Sequence, residues 1–206
     1  GPVPPDVFIP LAEETGLIQE LGLYVLQQAC AQAVLWQKSG FALSIAVNIS
    51  AMQFKQGDLP AVVMQVLQDT GLAAQVLELE LTESVLIDDR TLVKQQIDEL
   101  SALGVRFAID DFGTGYSNLG YLSQFSLSSL KIDRSFVARI RQNDKDLALV
   151  NGIIQLASSL GLHTVAEGVE DNQSLVLLQQ AGCSCAQGYL WSKAVSPQEF
   201  ELLFAQ

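Results

Sequence analysis

The pair Asp110-Asp111 is the first feature of the sequence that could do chemistry. The apolar run 105–109 ends in these two carboxylates, and the turn Gly113-Thr114-Gly115 follows one residue later. In α/β enzymes, a strand that ends in acids before a glycine turn often places a metal or phosphate site. Asp and Gly are also ordinary loop residues at strand ends, so the pair alone is compatible with a plain turn.

Other apolar runs end in the same way. Six predicted strands each carry a polar residue at or near the C-terminal end, and these residues are Asn48, Glu80, Asp110 with Asp111, Lys131 with Asp133, Glu167 and Gln187. The C-terminal ends of the strands of a parallel barrel meet on one face, where active sites are built. Any one of these residues could be a solvated strand end or a helix cap. Together they predict a site.

The predicted site offers mainly carboxylate and amide oxygens, which suit Mg²⁺ or Mn²⁺ and sometimes Ca²⁺. Clustered carboxylates repel one another unless cations neutralise them. Asp110 and Asp111 could serve two neighbouring metals, or one metal and a bound water, as in two-metal hydrolysis of phosphodiesters. Lys131 could orient the attacking water, or it could only pair with a neighbouring acid. We expect His163 to be structural or exposed.

The elements that would position these residues alternate along the chain. The predicted strands are 43–47, 76–81, 105–109, 127–133, 164–167 and 185–189, and the main predicted helices are 12–15, 18–38, 58–71, 89–103, 144–160, 171–182 and one from 196 onward. Repeats of roughly 30 residues are the size of a βαβ unit, which indicates an α/β fold with a parallel sheet. Because no dinucleotide-binding glycine pattern follows the first strand, a (β/α) barrel is favoured. An eight-stranded barrel needs two further strands, which we expect to precede Gly1.

Composition narrows the class of protein. The 206 residues are 49% hydrophobic and 17% charged, which predicts one domain over 1–206. A net charge of −12 argues against DNA as a partner. Neither a membrane-spanning run nor a signal peptide is found in the sequence, so we expect a cytoplasmic domain without membrane contact, although the parent protein could be membrane-anchored. Three cysteines and one histidine argue against zinc or disulfides, and Cys183 and Cys185 are predicted to be buried thiols.

The motifs, taken in order, resemble those of the EAL domain, a bacterial phosphodiesterase family that acts on cyclic di-GMP. The resemblance runs the whole length and rests on FIPLAE at 8–13, VNIS at 47–50, ELTES at 80–84, DDFGTGYS at 110–117, LKIDRSF at 130–136, EGVE at 167–170 and QGYL at 187–190.

This resemblance implies a modified TIM barrel that uses Mg²⁺ or Mn²⁺, with Ca²⁺ inhibitory, to hydrolyse cyclic di-GMP to linear pGpG. By position, the first metal would be held by Asn48, Glu80, Asp110 and Glu167, and the second by Asp111 and Asp133. Lys131 would position the attacking water, and Glu170, Gln187 and Asp111 would complete the substrate pocket. Glu83 would anchor the loop 112–122, which in this family couples metal binding to dimerisation, so a homodimer is implied.

One family motif is absent. Glu-Ala-Leu, whose Glu is a metal ligand in the family, does not occur, and we expect the chain to begin after it as a domain truncated at its N-terminus. We therefore expect an active parent protein with an upstream sensory or diguanylate cyclase-like domain, and leave open the activity of this chain alone. Two alternatives stand beside this interpretation: a non-catalytic cyclic di-GMP receptor, and a Mg²⁺-dependent barrel enzyme of another class that uses Lys131 as a base.

Overall fold

The computed structural model describes residues 3–56, 58–87, 90–113 and 119–204. The chain divides into two compact units, the first formed by Gly1–Ala108 with Asn118–Leu127 and the second by Ile109–Ser117 with Ser128–Gln206. Strand β3, Arg106–Phe112, carries the chain from the first unit into the second.

The first unit alternates helices with two strands. Its elements are α1 Pro5–Thr15, α2 Ile18–Lys38, β1 Ile45–Asn48, α3 Ala51–Gln56, α4 Leu59–Thr70, β2 Leu77–Thr82, α5 Glu83–Ile87 and α6 Arg90–Ala102, with short 3₁₀ turns at Ala74–Val76 and Leu119–Gln124. β1 and β2 pair in parallel, and Asn48 lies opposite Glu80. Fully buried side chains such as Phe54, Leu79 and Ile97 form its core.

The ends of α4 show how local sequence sets the boundaries of a helix. The Asp58 side chain accepts a hydrogen bond from the backbone N–H of Ala61, and Pro60 follows in the first turn, where its missing N–H costs nothing. At the other end Gly71 adopts a left-handed conformation, with φ 75°, and donates its N–H to Leu67. The sequence predicted both boundaries.

The second unit has the same alternation. After the end of β3 come β4 Ser129–Ile132, α7 Arg134–Val137, α8 Asp144–Ser159, β5 His163–Ala166, α9 Asn172–Gln180, β6 Cys185–Ala186 and α10 Pro197–Phe204. β4, β5 and β6 pair in parallel in chain order. All four residues of β4 are buried, and they include Lys131, which is only 5% exposed.

The α/β class is confirmed, with six strands among the described residues. Three short helices, α3, α5 and α7, were not predicted, and β6 has two residues where five were expected. The prediction of buried thiols is wrong, since Cys185, the first residue of β6, is exposed and Cys183 is half-buried, whereas Cys30 is buried. His163 is exposed, as expected. No helix in the described part of the chain is both long and apolar enough to cross a membrane.

Candidate active site

The acidic pair lies at the end of β3, and its backbone is unusual. Asp111 has φ 53°, which makes it the one non-glycine residue with positive φ in the described ranges. Its backbone N–H donates to Asp110 Oδ1 at 3.0 Å. Aspartate enters the left-handed region more readily than most residues, but at a cost, and such residues cluster at functional sites.

Lys131 joins this strand end to the next elements of the second unit. Its Nζ lies 3.0 Å from Asp110 Oδ1 and 2.8 Å from Glu167 Oε1. The side chain of Gln187 donates from Nε2 to the same Glu167 oxygen at 2.7 Å. Residues near the ends of β3, β4, β5 and β6 are therefore linked by direct contacts, as the sequence predicted for this part of the site.

Asp111 joins the two carboxylates that Lys131 contacts to form a cluster of three. Ligand oxygens of Asp110, Asp111 and Glu167 all lie within 4.8 Å of one another. Burial raises the pKa of Asp111, and the charges of Asp110 and Asp133 raise it further, while Lys131 and Arg134 oppose them. Burial is also the main cause of the raised pKa of Glu167, and its contacts with Lys131 oppose that shift. Three carboxylates face two cations, Lys131 and Arg134, which leaves the cluster negative.

The donor set fits a divalent cation. The three residues offer hard oxygens at a spacing that one ion can bridge, and a cation in the form of the Lys131 ammonium already contacts two of them. The choice between Mg²⁺, Mn²⁺ and Ca²⁺ depends on coordination geometry and is not fixed by the donor atoms.

Asp133 follows β4 and caps α7. Its Oδ1 accepts a hydrogen bond of 3.0 Å from the backbone N–H of Ser135. Its charge still contributes to the raised pKa of Asp111. The assignment of Asp133 to a second metal stays a prediction.

A cavity of about 920 Å³ opens beside the cluster within the second unit. The residues at its wall include Glu167, Glu170, Gln187, Arg134, Tyr189 and Trp191. Glycine is needed at this wall: Gly168 has φ 67°, and a Cβ there would lie 2.7 Å from the Arg134 Cβ. Glu170 and Gln187, which were predicted to complete a pocket, line this cavity next to the carboxylates.

The remaining predicted residues belong to the first unit. Asn48 is exposed at the end of β1, and the N–H of Ile49 donates to the Glu80 carbonyl at 2.8 Å. Glu80 and Glu83 are buried, with 8% and 7% exposure. In the loop 112–122, residues 114–118 lie outside the described residues, so the proposed anchoring by Glu83 stays a prediction.

Sequence reasoning missed Arg134 and the aromatic wall. Arg134 opposes the raised pKa of Asp111 and lines the cavity, and its position directly after Asp133 in a chain with only 11 basic residues could have drawn attention to it. Tyr189 is 62% and Trp191 54% exposed, and Lys193 Nζ lies 5.4 Å from the centre of the Tyr189 ring. The sequence offered no pattern that separates these aromatic residues from core residues.

The sequence of this chain is similar to those of known proteins. The model of the EAL domain family matches residues 1–194. The signaling protein YkoW of Bacillus subtilis is 42% identical over 198 residues, which are 96% of this chain and 25% of that protein. The bifunctional diguanylate cyclase/cyclic di-GMP phosphodiesterase MucR of Pseudomonas aeruginosa is 42% identical over 97% of this chain and 29% of its own length. The chain thus spans about a quarter of the length of these relatives.

Solved structures show the same fold. The PaMucR phosphodiesterase in complex with c-di-GMP superposes with a TM-score of 0.92 and 41% identity, covering 96% of this chain and 81% of that one. The EAL domain of Mycobacterium smegmatis DcpA gives a TM-score of 0.85 and 39% identity, covering 91% of this chain and 85% of that one. The chain belongs to the EAL domain family, and the predicted TIM-barrel-like α/β class is confirmed.

Proposed function

We propose that this chain is the catalytic domain of a phosphodiesterase that hydrolyses cyclic di-GMP to linear pGpG with Mg²⁺ or Mn²⁺. The observation that carries the proposal is the cluster of Asp110, Asp111 and Glu167 around the Lys131 ammonium. Relatives with the same fold support it, since one is named a cyclic di-GMP phosphodiesterase and its domain has been solved with c-di-GMP.

The side chains have distinct roles in this proposal. Bound divalent cations would activate water and stabilise the leaving oxygen of the phosphodiester. Asp110 and Glu167 hold the Lys131 ammonium in place, so that Lys131 can donate to the attacking water and offset the charge of the phosphate. Gln187 donates a second hydrogen bond to the Glu167 oxygen that Lys131 contacts and so helps to hold this carboxylate. Asp111 and Asp133 would hold the second metal.

The cavity supplies the substrate pocket in this proposal. Its volume of about 920 Å³ is within the usual range of small-molecule sites. Glu170 and Gln187 offer polar groups, Arg134 can pair with a phosphate, and the exposed rings of Tyr189 and Trp191 can stack on a base. Asn48 and Glu80 as metal ligands, and Glu83 as a loop anchor, rest on their positions in the family motifs.

The setting of the domain is also a proposal. Because the chain spans about a quarter of relatives such as YkoW and MucR, we expect an upstream sensory or diguanylate cyclase-like domain in the parent protein. We further propose a homodimer that functions in the cytoplasm, with Ca²⁺ inhibitory because a site suited to octahedral Mg²⁺ is distorted by the larger ion.

The test is to incubate the intact protein with cyclic di-GMP and Mn²⁺ and to separate the products by liquid chromatography. We expect linear pGpG, and its loss when Ca²⁺ replaces Mn²⁺. Tight binding without pGpG would favour the non-catalytic receptor instead. Neither turnover nor binding would refute both and leave a barrel enzyme of another class.

A further inference from the structure

Ser50, two residues after Asn48, is the centre of a hydrogen-bond network in the first unit. Its hydroxyl donates to Glu13 Oε1 of α1 at 2.5 Å and accepts from the backbone N–H of Met52 at 3.2 Å. Its own backbone N–H donates to Gln53 Oε1 at 3.0 Å. Side chains from α1 and α3 thus fix both the backbone and the hydroxyl of one residue.

Helix α2 completes the network by leaving room for Gln53. A Cβ at Gly22 would lie 2.3 Å from Gln53 Nε2 and 2.7 Å from its Cδ, so only glycine accommodates this amide where it now lies. Gln53 is 6% exposed, and together with Gly22 and Gln19 it lines a cavity of about 210 Å³. One turn earlier, Gln19 Nε2 donates to the Met52 carbonyl at 3.0 Å.

The presence of glycine in the interior of α2 has a cost. Glycine inside a helix is about 1 kcal/mol less favourable than alanine. Gly22 lies in the interior of the 21-residue helix α2 without a positive φ that would require glycine. The close approach of the Gln53 amide supplies a reason for it.

The network acts on the segment that carries Asn48. Asn48 is in register with Glu80, and the next N–H, that of Ile49, donates to the Glu80 carbonyl. One residue further, Ser50 is held by Glu13 and Gln53. The exposed Asn48 side chain therefore projects from a backbone that is fixed at the two residues that follow it.

We propose that Glu13, Ser50 and Gln53, packed against Gly22, are positioning residues that hold Asn48 ready as an oxygen ligand for a divalent cation. This inference rests on the proposed function, in which Asn48 is such a ligand. Residues that orient metal ligands typically contribute about 10–100-fold to metal affinity. The network touches none of the proposed ligands directly and acts only through the backbone.

The test measures Mn²⁺ affinity by calorimetry, and hydrogen exchange at the amides of Ser50 and Met52, in the intact protein. Gly22→Ala displaces Gln53, and Glu13→Ala removes the acceptor of the Ser50 hydroxyl. We expect each to speed exchange at these amides and to raise the Mn²⁺ Kd about tenfold. Glu13→Gln keeps an accepting Oε1 and should restore the Kd to within about threefold of the unmodified protein.

The matched control is Gly152→Ala in α8. This exposed helical glycine has no atom within 4 Å of an added Cβ, so the change brings the same gain in helix propensity without displacing a neighbour. We expect an unchanged Mn²⁺ Kd. Melting curves identify any variant that fails to fold, and whichever of Gly22→Ala and Glu13→Ala folds then carries the test.

Two results would overturn the inference. In one, Asn48→Ala weakens Mn²⁺ binding while Gly22→Ala and Glu13→Ala do not, so the network positions nothing. In the other, Asn48→Ala leaves Mn²⁺ binding intact, so there is no ligand to position. Failure of the proposed function would be seen separately, as the absence of pGpG formation by the unmodified protein.

Discussion

Asp111, near the end of β3, and Asp171, after β5, both belong to the second unit, yet their surroundings act on them in opposite directions. Burial raises the pKa of Asp111, and the nearby charges of Asp110 and Asp133 add to the effect. A hydrogen bond from the backbone N–H of Ser174 lowers the pKa of Asp171, helped by the Ser174 hydroxyl and by Arg141.

The difference lies in the groups that surround each carboxylate. Asp171 caps α9, where free N–H groups and the positive end of the helix dipole stabilise a negative charge. Asp110 and Glu167 share the ammonium of Lys131, and other acids act on Asp111 against the charges of Lys131 and Arg134. A carboxylate at a cap is satisfied by the fold itself, whereas the cluster needs further positive charge from outside.

Replacing one aspartate of the cluster and one at the cap tests this difference with the largest expected effect. If Asp110 is a metal ligand, Asp110→Ala should lower the turnover of cyclic di-GMP at least about a hundredfold, because even residues behind the ligands cost up to that much. Asp171→Ala should change turnover by less than about twofold, since Asp171 caps α9 and pairs with the exposed Arg141. Initial rates of pGpG formation with Mn²⁺ provide the measurement. Equal losses in the two variants would refute the division into site and cap.

The cation of the cluster offers a second test. Lys131→Met leaves Asp110 and Glu167 without their shared partner. Breaking a fully buried pair costs about 3–5 kcal/mol, and we expect about 2–3 kcal/mol here because these carboxylates are 14% and 17% exposed. Mn²⁺ should restore part of the lost stability by taking the place of the ammonium. Thermal melts with and without Mn²⁺ measure both effects.

The control is Lys94→Met, which removes an ion pair with Asp98 on α6 whose side chains are 45% and 44% exposed. It should cost less than about 0.5 kcal/mol and show no added dependence on Mn²⁺. Equal destabilisation of the two lysine variants would mean that Lys131 stabilises Asp110 and Glu167 no more than an exposed lysine stabilises its partner.

Much of the candidate site could be predicted because the C-terminal ends of the strands of a parallel barrel meet on one face. Asp110, Lys131 and Glu167 were expected near one another from this rule, and they are in contact. The pKa directions could not be predicted, because they depend on burial and on donors from distant parts of the chain. By contrast, a helix that begins at Asp171 was predicted from local sequence, and Asp171 caps the observed helix α9.

The parts of the fold that the sequence did not predict depend on tertiary contacts. Helix α3 has only six residues, too few to be stable alone. It is held by the buried Phe54, by the hydrogen bond from Gln19 to the Met52 carbonyl, and by the hydrogen bond from Ser50, just before the helix, to Glu13. β6 ends after Ala186 because the backbone of Gln187 turns to bond with both Ala166 and Val169. Neither feature leaves a periodic pattern in the sequence.

A neutral replacement of Asp111 should separate stability from function. The raised pKa means that the folded protein disfavours the charged form, so Asp111→Asn should stabilise the metal-free protein. Asparagine also tolerates the left-handed backbone at this position. We expect a gain of at most about 1 kcal/mol, the repulsion between two unit charges about 4 Å apart in water, together with lower turnover. A loss of stability in urea titrations would show that the charge of Asp111 is already balanced.

The smallest expected effect concerns the charge of Asp171 and its dependence on pH. Asparagine caps helices as well as aspartate, so Asp171→Asn removes the charge and keeps the cap. The folded pKa of Asp171 is lowered, so its charge stabilises the protein above the unfolded pKa of about 3.9 and that stability is lost as the pH falls through the folded pKa. The unmodified protein should therefore melt above Asp171→Asn at pH 7, and the difference should shrink below about pH 4.

Taking the difference between these two proteins removes the other titrating groups. Glu199, whose pKa is also lowered at the start of α10, and Asp111, whose pKa is raised, are present in both and cancel to first order. A melting difference that stays constant from neutral to acidic pH would show that the charge of Asp171 plays no part, and that its hydrogen-bonding geometry alone caps α9. In that case the cap and the cluster would differ in their hydrogen-bond geometry and not in how they stabilise a negative charge.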